Sequence, residues 1–404
     1  MVEQGHPYVV RVSPAKASFW KTVKPTLSEL DIELTERCNN NCIHCCINLP
    51  ADDAVAKKRE LSTSAIKDIL KEAASLGCLT VRFTGGEPLL RDDFEELYLY
   101  ARKLGLKVLL FTNATLITPP LAELLSRIPP LEKIEVTVYG MKKASYEAVS
   151  RSSGSFEAAW RGINLLLEKK VPFVVKGILL PANRGEIEEF ETWACTVPWM
   201  DDPPSYSIFF DLGCRRDEKK NAIIRNIRPE PQKGLKFLAR RKETYLKEMK
   251  RFCSRFMARA GDKLFSCGAG IRGACVDSYG KLQLCMDLRH PDTVYALKKG
   301  SLKQAISSFF PAVRALKATH PEYLSRCAKC FLKGLCEQCP GKSWTEHGTL
   351  DTPVEYLCEI AHVQARQLGL LQEEEMAWEV EDWRQRIQKF SEERENEHGN
   401  VYGT

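Results

Sequence analysis

Short apolar runs alternate with amphipathic stretches of helical length over residues 30–210, and this alternation constrains the fold more than any other feature. Six near-continuous apolar strands separated by helices are typical of a parallel sheet that is buried on both faces. Because six repeats are fewer than the eight of a complete TIM barrel, the pattern favours an α/β partial (β/α)6 TIM-like barrel. The runs are LDIEL (30–34), LTVRF (79–83), KVLLF (107–111), KIEVTVY (133–139), PFVVKGILL (172–180) and SYSIFF (205–210).

Several helical stretches between these strands carry the residue types that begin and end helices. Helical periodicity covers residues 62–77, 92–105 and 155–170. Ser62 and Asp92 precede the first two stretches, where a short polar side chain caps free backbone NH groups. Gly77 and Gly105 follow them, because glycine readily adopts the left-handed conformation that ends a helix.

Sixteen cysteines in a chain of 404 residues are the outstanding feature of the composition. The clustered cysteine spacings, together with the length of the chain and an N-terminus without an apolar signal-peptide core, favour metal binding over disulfides. No apolar run reaches the roughly 18 residues of a membrane span, and the net charge of +6 does not by itself indicate nucleic acid. A reducing, cytoplasmic location without a membrane or nucleic-acid partner is therefore predicted.

The first cysteine cluster lies in TERCNNNCIHCC (35–46), directly after the first strand, where parallel α/β sheets place their chemistry. Cys38, Cys42 and Cys45 have the spacing C-x3-C-x2-C. Three thiolates can hold three irons of a four-iron cluster and leave the fourth iron open, as catalysis requires. The alternatives are a three-ligand zinc site, or a fourth cysteine from elsewhere, for which Cys46 is the local candidate.

A glycine-rich loop, FTGGEPLLR (83–91), follows the next strand. Gly85 and Gly86 allow a backbone to approach a ligand closely, and Glu87 offers a carboxylate to an ammonium group. Alone, the GGEP sequence ending at Pro88 is a weak motif. Because the two loops follow neighbouring strands, we expect them to lie side by side at one edge of the sheet.

Together these two motifs resemble the radical S-adenosylmethionine (SAM) superfamily, which carries CxxxCxxC and GGEP loops. The resemblance implies that the open iron chelates the methionine part of SAM, and that reductive cleavage gives a 5′-deoxyadenosyl radical that abstracts a substrate hydrogen. It also implies that residues of the GGEP loop bind SAM, with Gly85, Gly86 and Glu87 at the ammonium and Pro88 beside them. Further implied SAM contacts are Thr112, Asn113 and Tyr139 at the ribose, Arg151 at the carboxylate, and His44 and Ile178 at the adenine.

A second cysteine-rich segment covers residues 264–358 and includes RCAKCFLKGLCEQCPG (326–341). Its spacing resembles the SPASM extension of radical SAM proteins, which implies two auxiliary 4Fe-4S clusters and hence three clusters in total. By this resemblance the nearer cluster is held by Cys267, Cys275, Cys285 and Cys339, and the outer one by Cys327, Cys330, Cys336 and Cys358. Two zinc ribbons are the alternative, since eight ligands suit zinc equally well by number.

These patterns divide the chain into a lead-in (1–29), the partial barrel (30–214), a basic helical linker (215–263), the SPASM domain (264–364) and an acidic helical tail (365–404). The linker has 17 Lys and Arg against 6 Asp and Glu. It is interpreted as a solvated helical segment, with a docking surface for an acidic partner as the alternative. Residues 371–397 hold ten acids against four bases and are expected to pack on the protein itself, with the basic linker as a candidate site.

The resemblance implies an oxidoreductase that modifies a ribosomally made peptide, for example through a thioether or carbon–carbon cross-link. A tetrapyrrole-tailoring enzyme, a sulfatase-type formylglycine maturase and a non-catalytic electron carrier are the alternatives. An oxidation needs a proton acceptor near the substrate carbon, and Asp287 and Asp211 are the candidates.

The expected partners are a peptide or protein substrate and a low-potential electron donor such as flavodoxin or ferredoxin. About 30 residues precede the first strand, too few for the leader-binding domain of some peptide maturases. A leader would therefore need a separate carrier protein or the basic linker.

Overall fold

The computed structural model describes residues 27–45, 47, 49–212 and 217–392. Most of the predicted lead-in, Cys46, Cys214 and the end of the acidic tail lie outside the described residues. By its internal contacts the chain divides into two compact units. The first comprises Met1–Ile227 with Gly268–Val313, and the second comprises Arg228–Cys267 with the residues from Arg314 onwards. This division differs from the predicted boundaries, because part of the cysteine-rich segment belongs with the first unit.

Six strands of the first unit are parallel and adjacent in chain order, which confirms the predicted strand–helix repeats. They are β1 Glu29–Thr35, β4 Thr80–Gly85, β5 Lys107–Thr112, β6 Leu131–Val138, β7 Phe173–Ile178 and β8 Ser205–Ser207. A short separate pair is formed by β2 Arg37–Cys38 and β3 Leu49–Pro50. The last strand is shorter than the apolar run 205–210 predicted, since it ends at Ser207.

Helices connect these strands in the positions that the periodicity predicts. They are α1 Ala54–Arg59, α2 Thr63–Ser75, α3 Phe94–Lys103, α4 Pro119–Arg127, α5 Lys143–Ser150, α6 Ser155–Glu168 and α7 Ile187–Ala194. Ser62 caps α2 by accepting from the backbone NH of Ala65 at 3.3 Å. Gly77 and Gly105 have positive φ angles of 88° and 83°, as predicted for the residues that follow these helices. The Asp92 cap is wrong, because the N-cap position of α3 is occupied by Asp93.

The two faces of the parallel sheet differ in polarity, and the predicted burial on both faces holds in full for one of them and in part for the other. Leu30, Ile32 and their neighbours on one face are fully buried. The other face carries the half-buried ion pair between Arg82 and Asp31, with 3.1 Å between nitrogen and oxygen. The Arg82 guanidinium also lies 4.9 Å from the centre of the Phe111 ring. The charged side chains are tolerated there because they are paired and only partly buried.

The sheet continues beyond β1 into the cysteine-rich segment. Strand β9 (Gly273–Val276) pairs in parallel with β1, and β10 (Lys281–Gln283) pairs antiparallel with β9 and with β11 (Tyr295–Ala296). Cys275 lies opposite Asp31 in this register. Further helices of the first unit are α8 Glu218–Ile227 and α11 Leu302–Gln304, and α12 Phe310–Arg314 crosses its boundary.

The second unit is mainly helical. Its helices are α9 Pro231–Leu238, α10 Lys242–Phe256, α13 Pro340–His347, α14 Glu355–Gln367 and α15 Trp383–Glu392. The tail packs on the basic segment, as predicted, because Trp383, Ile387 and Phe390 share one apolar core with Cys253 of α10. After α14 ends at Gln367, regular helix in the tail resumes only at Trp383. Within the described part of the chain, no helix has the length and apolarity needed to cross a membrane.

Candidate active site

The three-cysteine loop (residues 38–45) starts at the end of β2 and is held against the C-terminal end of α5 by backbone hydrogen bonds. The NH of Asn41 donates to the carbonyl of Ser150 at 2.8 Å, and the NH of Ile43 donates to Val149 at 3.0 Å. The Ser152 hydroxyl adds a bond to the carbonyl of Asn39 at 3.1 Å. These hydrogen bonds hold the loop, which has no regular secondary structure, against the end of α5 and the residues that follow it.

The thiols of this loop lie within electrostatic reach of one another. Burial raises the pKa of Cys38 to about 12, and the charges of Glu87 and Cys45 raise it further. Burial, followed by the neighbouring Cys45, also raises the pKa of Cys42. Such thiols stay protonated unless a positively charged metal centre stabilises the thiolates. The donor set therefore fits an iron–sulfur cluster, which binds cysteine as thiolate.

The GGEP loop (residues 85–88) packs directly on the chain that leads into the cysteine loop, which confirms that the two loops are neighbours. The NH groups of Gly86 and Glu87 donate to the carbonyls of Thr35 at 2.7 Å and Arg37 at 2.9 Å. A Cβ on Gly86 would lie 2.2 Å from the Arg37 carbonyl oxygen, and one on Gly85 would lie 2.1 Å from that of Thr35. The sequence suggested close approach to a ligand, whereas the contact made here is with the chain's own backbone.

Glu87 is completely buried and connects the ends of β4 and β5. Its carboxylate accepts from the Thr112 hydroxyl at 2.9 Å, from the Asn113 NH at 2.8 Å and from the Leu89 NH at 3.1 Å. Burial raises the pKa of Glu87 to about 7 in spite of these three donors. Pro88, also buried, begins the short helical turn Pro88–Leu90.

Asn113 extends the hydrogen-bond network of Glu87 to the cysteine loop. Its side-chain NH2 donates to the side-chain oxygen of Asn39 at 2.9 Å and makes a long contact of 3.8 Å with the sulfur of Cys38. Asn39 in turn donates to the Thr115 hydroxyl at 2.7 Å. Sequence reasoning did not select Asn39 or Thr115, and only their positions within the CNNN and TNAT segments could have indicated them.

An aromatic group lies beside the cysteine loop. The ring of His44 is 5.8 Å from that of Tyr139 and 6.0 Å from that of Phe210. Burial lowers the pKa of His44 to about 4, so its imidazole is neutral at physiological pH. Its buried Nδ1 has no hydrogen-bond partner among the described residues. The Tyr139 hydroxyl hydrogen-bonds the Cys42 thiol, and burial is the main reason that the pKa of Tyr139 lies well above its usual value.

Ile178, at the end of β7, lines a small pocket together with Gly140 and Tyr206. Asn183 holds the surrounding backbone, since its side-chain NH2 donates to the carbonyls of Tyr139 at 2.7 Å and Ile178 at 2.6 Å. The adenine contact of Ile178 stays a prediction.

Three of the predicted functional side chains are exposed. Arg151 follows α5 in a left-handed conformation with a φ angle of 51°. Asp287 lies after β10, and Asp211 lies four residues beyond the end of β8, although it was expected to end that strand. The predicted roles of these residues stay predictions.

In the second unit, the four cysteines predicted for the outer cluster line one cavity. Burial raises the pKa of the Cys336 thiol, and the neighbouring Cys358, Cys330 and Cys327 raise it further. The four thiols therefore lie within electrostatic range of one another. The outer cysteine set, defined as Cys327, Cys330, Cys336 and Cys358, fits a buried thiolate-ligated centre in its donor chemistry.

The cysteines predicted for the nearer cluster are divided between the two units. Cys275 and Cys285 belong to the first, and Cys267 and Cys339 belong to the second. Cys275 is fully buried in the sheet, whereas Cys267 is exposed. This ligand set stays a prediction.

The zinc alternative can be compared with the spacing of the side chains. Among the described residues, no three His, Cys, Asp or Glu side chains converge closely enough to hold a metal ion. Zinc thiolates lie about 2.3 Å from one ion and so crowd together. Cluster thiolates bind separate irons and are more widely spaced. The choice between zinc and iron–sulfur clusters at these cysteines stays a prediction.

A parallel α/β sheet that presents three clustered thiols beside a glycine loop defines a domain suited to binding an iron–sulfur cluster. Residues 32–194 match the family model of the radical SAM superfamily. The chain thus carries a radical SAM domain over this segment, which contains the first cysteine loop, the GGEP loop and strands β4 to β7.

Two relatives of known function share this part of the chain. The AdoMet-dependent heme synthase of Methanosarcina barkeri is 34% identical over 191 residues, which cover 47% of this chain and 52% of the relative. The PqqA peptide cyclase of Gluconobacter oxydans is 31% identical over 157 residues, or 39% of this chain and 43% of the relative. The chain thus matches about half the length of the first of these relatives and less than half of the second.

Among solved structures, the fold resembles that of native anSMEcpe with bound AdoMet and Cp18Cys peptide, with a TM-score of 0.53. The alignment covers 85% of this chain and 96% of that chain at 17% identity. At this identity the likeness concerns the fold alone, and it extends well beyond the radical SAM domain.

Proposed function

We propose that this protein is a radical SAM enzyme that modifies a peptide. The observation that carries the proposal is the direct packing of the GGEP loop against the chain that leads into the three-cysteine loop. A 4Fe-4S cluster held by Cys38, Cys42 and Cys45 would supply the electron that cleaves SAM and so generates the hydrogen-abstracting 5′-deoxyadenosyl radical. The roles that follow belong to the chain's own residues.

Glu87 and Asn113 keep the glycine loop, the end of β5 and the cysteine loop in one fixed arrangement. Glu87 does so through three hydrogen bonds to its carboxylate, and Asn113 through Asn39 and the Cys38 sulfur. The aromatic group of His44, Tyr139 and Phe210 excludes water from one side of the thiols. A neutral His44 adds no positive charge at the position proposed for adenine.

Two auxiliary 4Fe-4S clusters complete the proposal. For the outer one, support comes from four thiols that line one cavity of the second unit. The nearer one rests on the cysteine spacing alone. Such clusters can accept the electron that remains after hydrogen abstraction, and an electron donor of the flavodoxin or ferredoxin type would reduce the enzyme.

A peptide substrate is supported by the name of the PqqA peptide cyclase and by the peptide bound to the anSMEcpe structure. A separate carrier protein that binds the leader of the peptide substrate is part of the proposal. Asp211 and Asp287 are the proposed proton acceptors, and their exposure leaves both accessible to a large substrate.

The test is anaerobic reconstitution with iron and sulfide, followed by SAM and dithionite, with 5′-deoxyadenosine measured by mass spectrometry. Wild-type protein is expected to release 5′-deoxyadenosine, and Cys42→Ala is expected to release none. Cys195→Ala, which removes an exposed cysteine, is the matched control and should behave as wild type. Iron-loaded wild-type protein that binds SAM but releases no 5′-deoxyadenosine would defeat the proposal.

The second candidate is a tetrapyrrole-tailoring enzyme, favoured by the 34% identity to a heme synthase. The two candidate functions can be distinguished by the substrate that the enzyme changes. A cysteine-containing or repeat-bearing precursor peptide that loses two mass units supports the peptide maturase. A change in the mass of an iron tetrapyrrole, with every peptide left unchanged, supports the alternative.

A further inference from the structure

The guanidinium of Arg326 lies against one sulfur of the outer cysteine set. Its Nη2 donates to the sulfur of Cys358, with 3.5 Å between nitrogen and sulfur. Arg326 precedes Cys327 in the chain, whereas Cys358 lies on α14, 32 residues away. The contact is therefore made by the fold and not by neighbouring positions in the sequence.

Arg326 is held in this position from several sides. Its two terminal nitrogens donate to the two carboxylate oxygens of Glu355 at 2.8 and 3.0 Å. Nη1 also donates to Glu322 at 2.5 Å. The guanidinium lies 4.8 Å from the centre of the Trp378 ring. A side chain with two acidic partners and an aromatic platform has little freedom to leave the sulfur.

The sulfur of Cys358 also lies near a second hydrogen-bond donor, the imidazole of His362. The Nδ1 of His362 lies 3.6 Å from the Cys358 sulfur and 2.8 Å from the Cys358 carbonyl oxygen. The NH of Ala377 donates to Nε2 of His362 at 3.2 Å, so the ring proton is on Nδ1. The sulfur of Cys358 thus faces hydrogen-bond donors on two sides.

We infer that Arg326 is a positioning residue that raises the reduction potential of the outer auxiliary cluster by donating a hydrogen bond to the Cys358 thiolate. This inference rests on the proposed function, which assigns a cluster to these four cysteines. Reduction adds one negative charge to a cluster. A cation and a hydrogen bond at a ligand sulfur stabilise the reduced state more than the oxidised state, and so raise the potential.

Among the contacts of Arg326, Glu355 is expected to change the reduction potential in the opposite direction. Glu355 partly neutralises Arg326, and its own negative charge lies close to the outer cysteine set. Removing that charge should favour the reduced cluster. Arg326→Gln and Glu355→Gln are therefore expected to move the potential in opposite directions.

The test is a redox titration of reconstituted full-length protein, followed by electron paramagnetic resonance, with iron counted in every sample. Arg326→Gln should shift one cluster to a more negative potential, Arg326→Lys should shift it less, and Glu355→Gln should shift it to a more positive one. Arg386→Gln is the matched control, because Arg386 also pairs with two carboxylates, Glu375 and Asp382, but does not line this cavity. It should leave all potentials unchanged.

Two results would overturn the inference in distinguishable ways. Wild-type protein that binds about four irons instead of about twelve would overturn the auxiliary clusters and with them the role of Arg326. An Arg326→Gln protein that keeps the wild-type iron content and the wild-type potentials would overturn the role of Arg326 alone. Loss of about four irons from Arg326→Gln would also overturn it, because Arg326 would then hold the cluster in place instead of setting its potential.

Discussion

The buried carboxylate of Glu87 accepts a hydrogen bond of 2.8 Å from the backbone NH of Asn113, 26 positions later in the chain. Glu87 belongs to the glycine loop after β4, and Asn113 follows β5. The side chain of Asn113 then reaches the sulfur of Cys38 in the loop after β1. Three loops at the carboxyl edge of one sheet are thereby linked through two side chains.

Replacing Glu87 by Gln should weaken this link. The amide of Gln has one acceptor oxygen in place of two and would turn its NH2 towards donors that face the carboxylate now. We expect a loss of about 2 kcal/mol in the free energy of unfolding and about a tenfold slower release of 5′-deoxyadenosine. Urea unfolding and product analysis check this. Glu123→Gln, at an exposed carboxylate paired with Lys169, should change neither quantity.

Gly86→Ala should displace the glycine loop from the cysteine loop. The added Cβ would lie 2.2 Å from the carbonyl oxygen of Arg37, which is backbone and has little room to move. We expect a destabilisation of about 1–3 kcal/mol and reduced SAM binding, measured by unfolding and by isothermal titration. Gly185→Ala is the control, since no atom lies within 4 Å of its Cβ position. Equal effects at the two glycines would contradict the prediction.

The neutral state of His44 predicts a pH dependence of stability. The pKa falls from 6.5 to about 4 on burial, so between these pH values the unfolded chain binds more protons than the folded one. His44 therefore makes the free energy of unfolding rise as the pH increases through this range. His44→Phe should reduce the increase measured between pH 5 and pH 7. His347→Phe, at an exposed histidine, should leave it unaltered.

Phe390→Ala should destabilise the second unit. Phe390 is buried against α10, and the ammonium of Lys250 lies 5.5 Å from the centre of its ring. Removing a buried aromatic side chain costs about 3–5 kcal/mol. Faster hydrogen exchange of the amides in α10 and α15 measures the effect. Lys389→Ala, at the exposed neighbouring position, should exchange as wild type.

Much of the first unit could be predicted because local patterns specify it. The apolar runs gave six strands in the right order, and Ser62, Gly77 and Gly105 flank helices as expected. Asp92 was misplaced by one position, since Asp93 precedes α3 and is bound by Arg91 and Thr63. Asp92 has a partner as well, since it pairs with Lys57 at 3.0 Å. Residue type alone therefore does not decide which of the two adjacent carboxylates takes the position before the helix.

The sequence by itself determined the order of strands and helices and the positions of the two motif loops, because periodicity and cysteine spacing are local properties. Only the tertiary structure decided which distant segments meet. It joined β9 to β1, and it placed Asn39 against Thr115 and Arg326 against Cys358. These contacts join residues from 32 to more than 200 positions apart, and their partners are selected by packing of the whole fold.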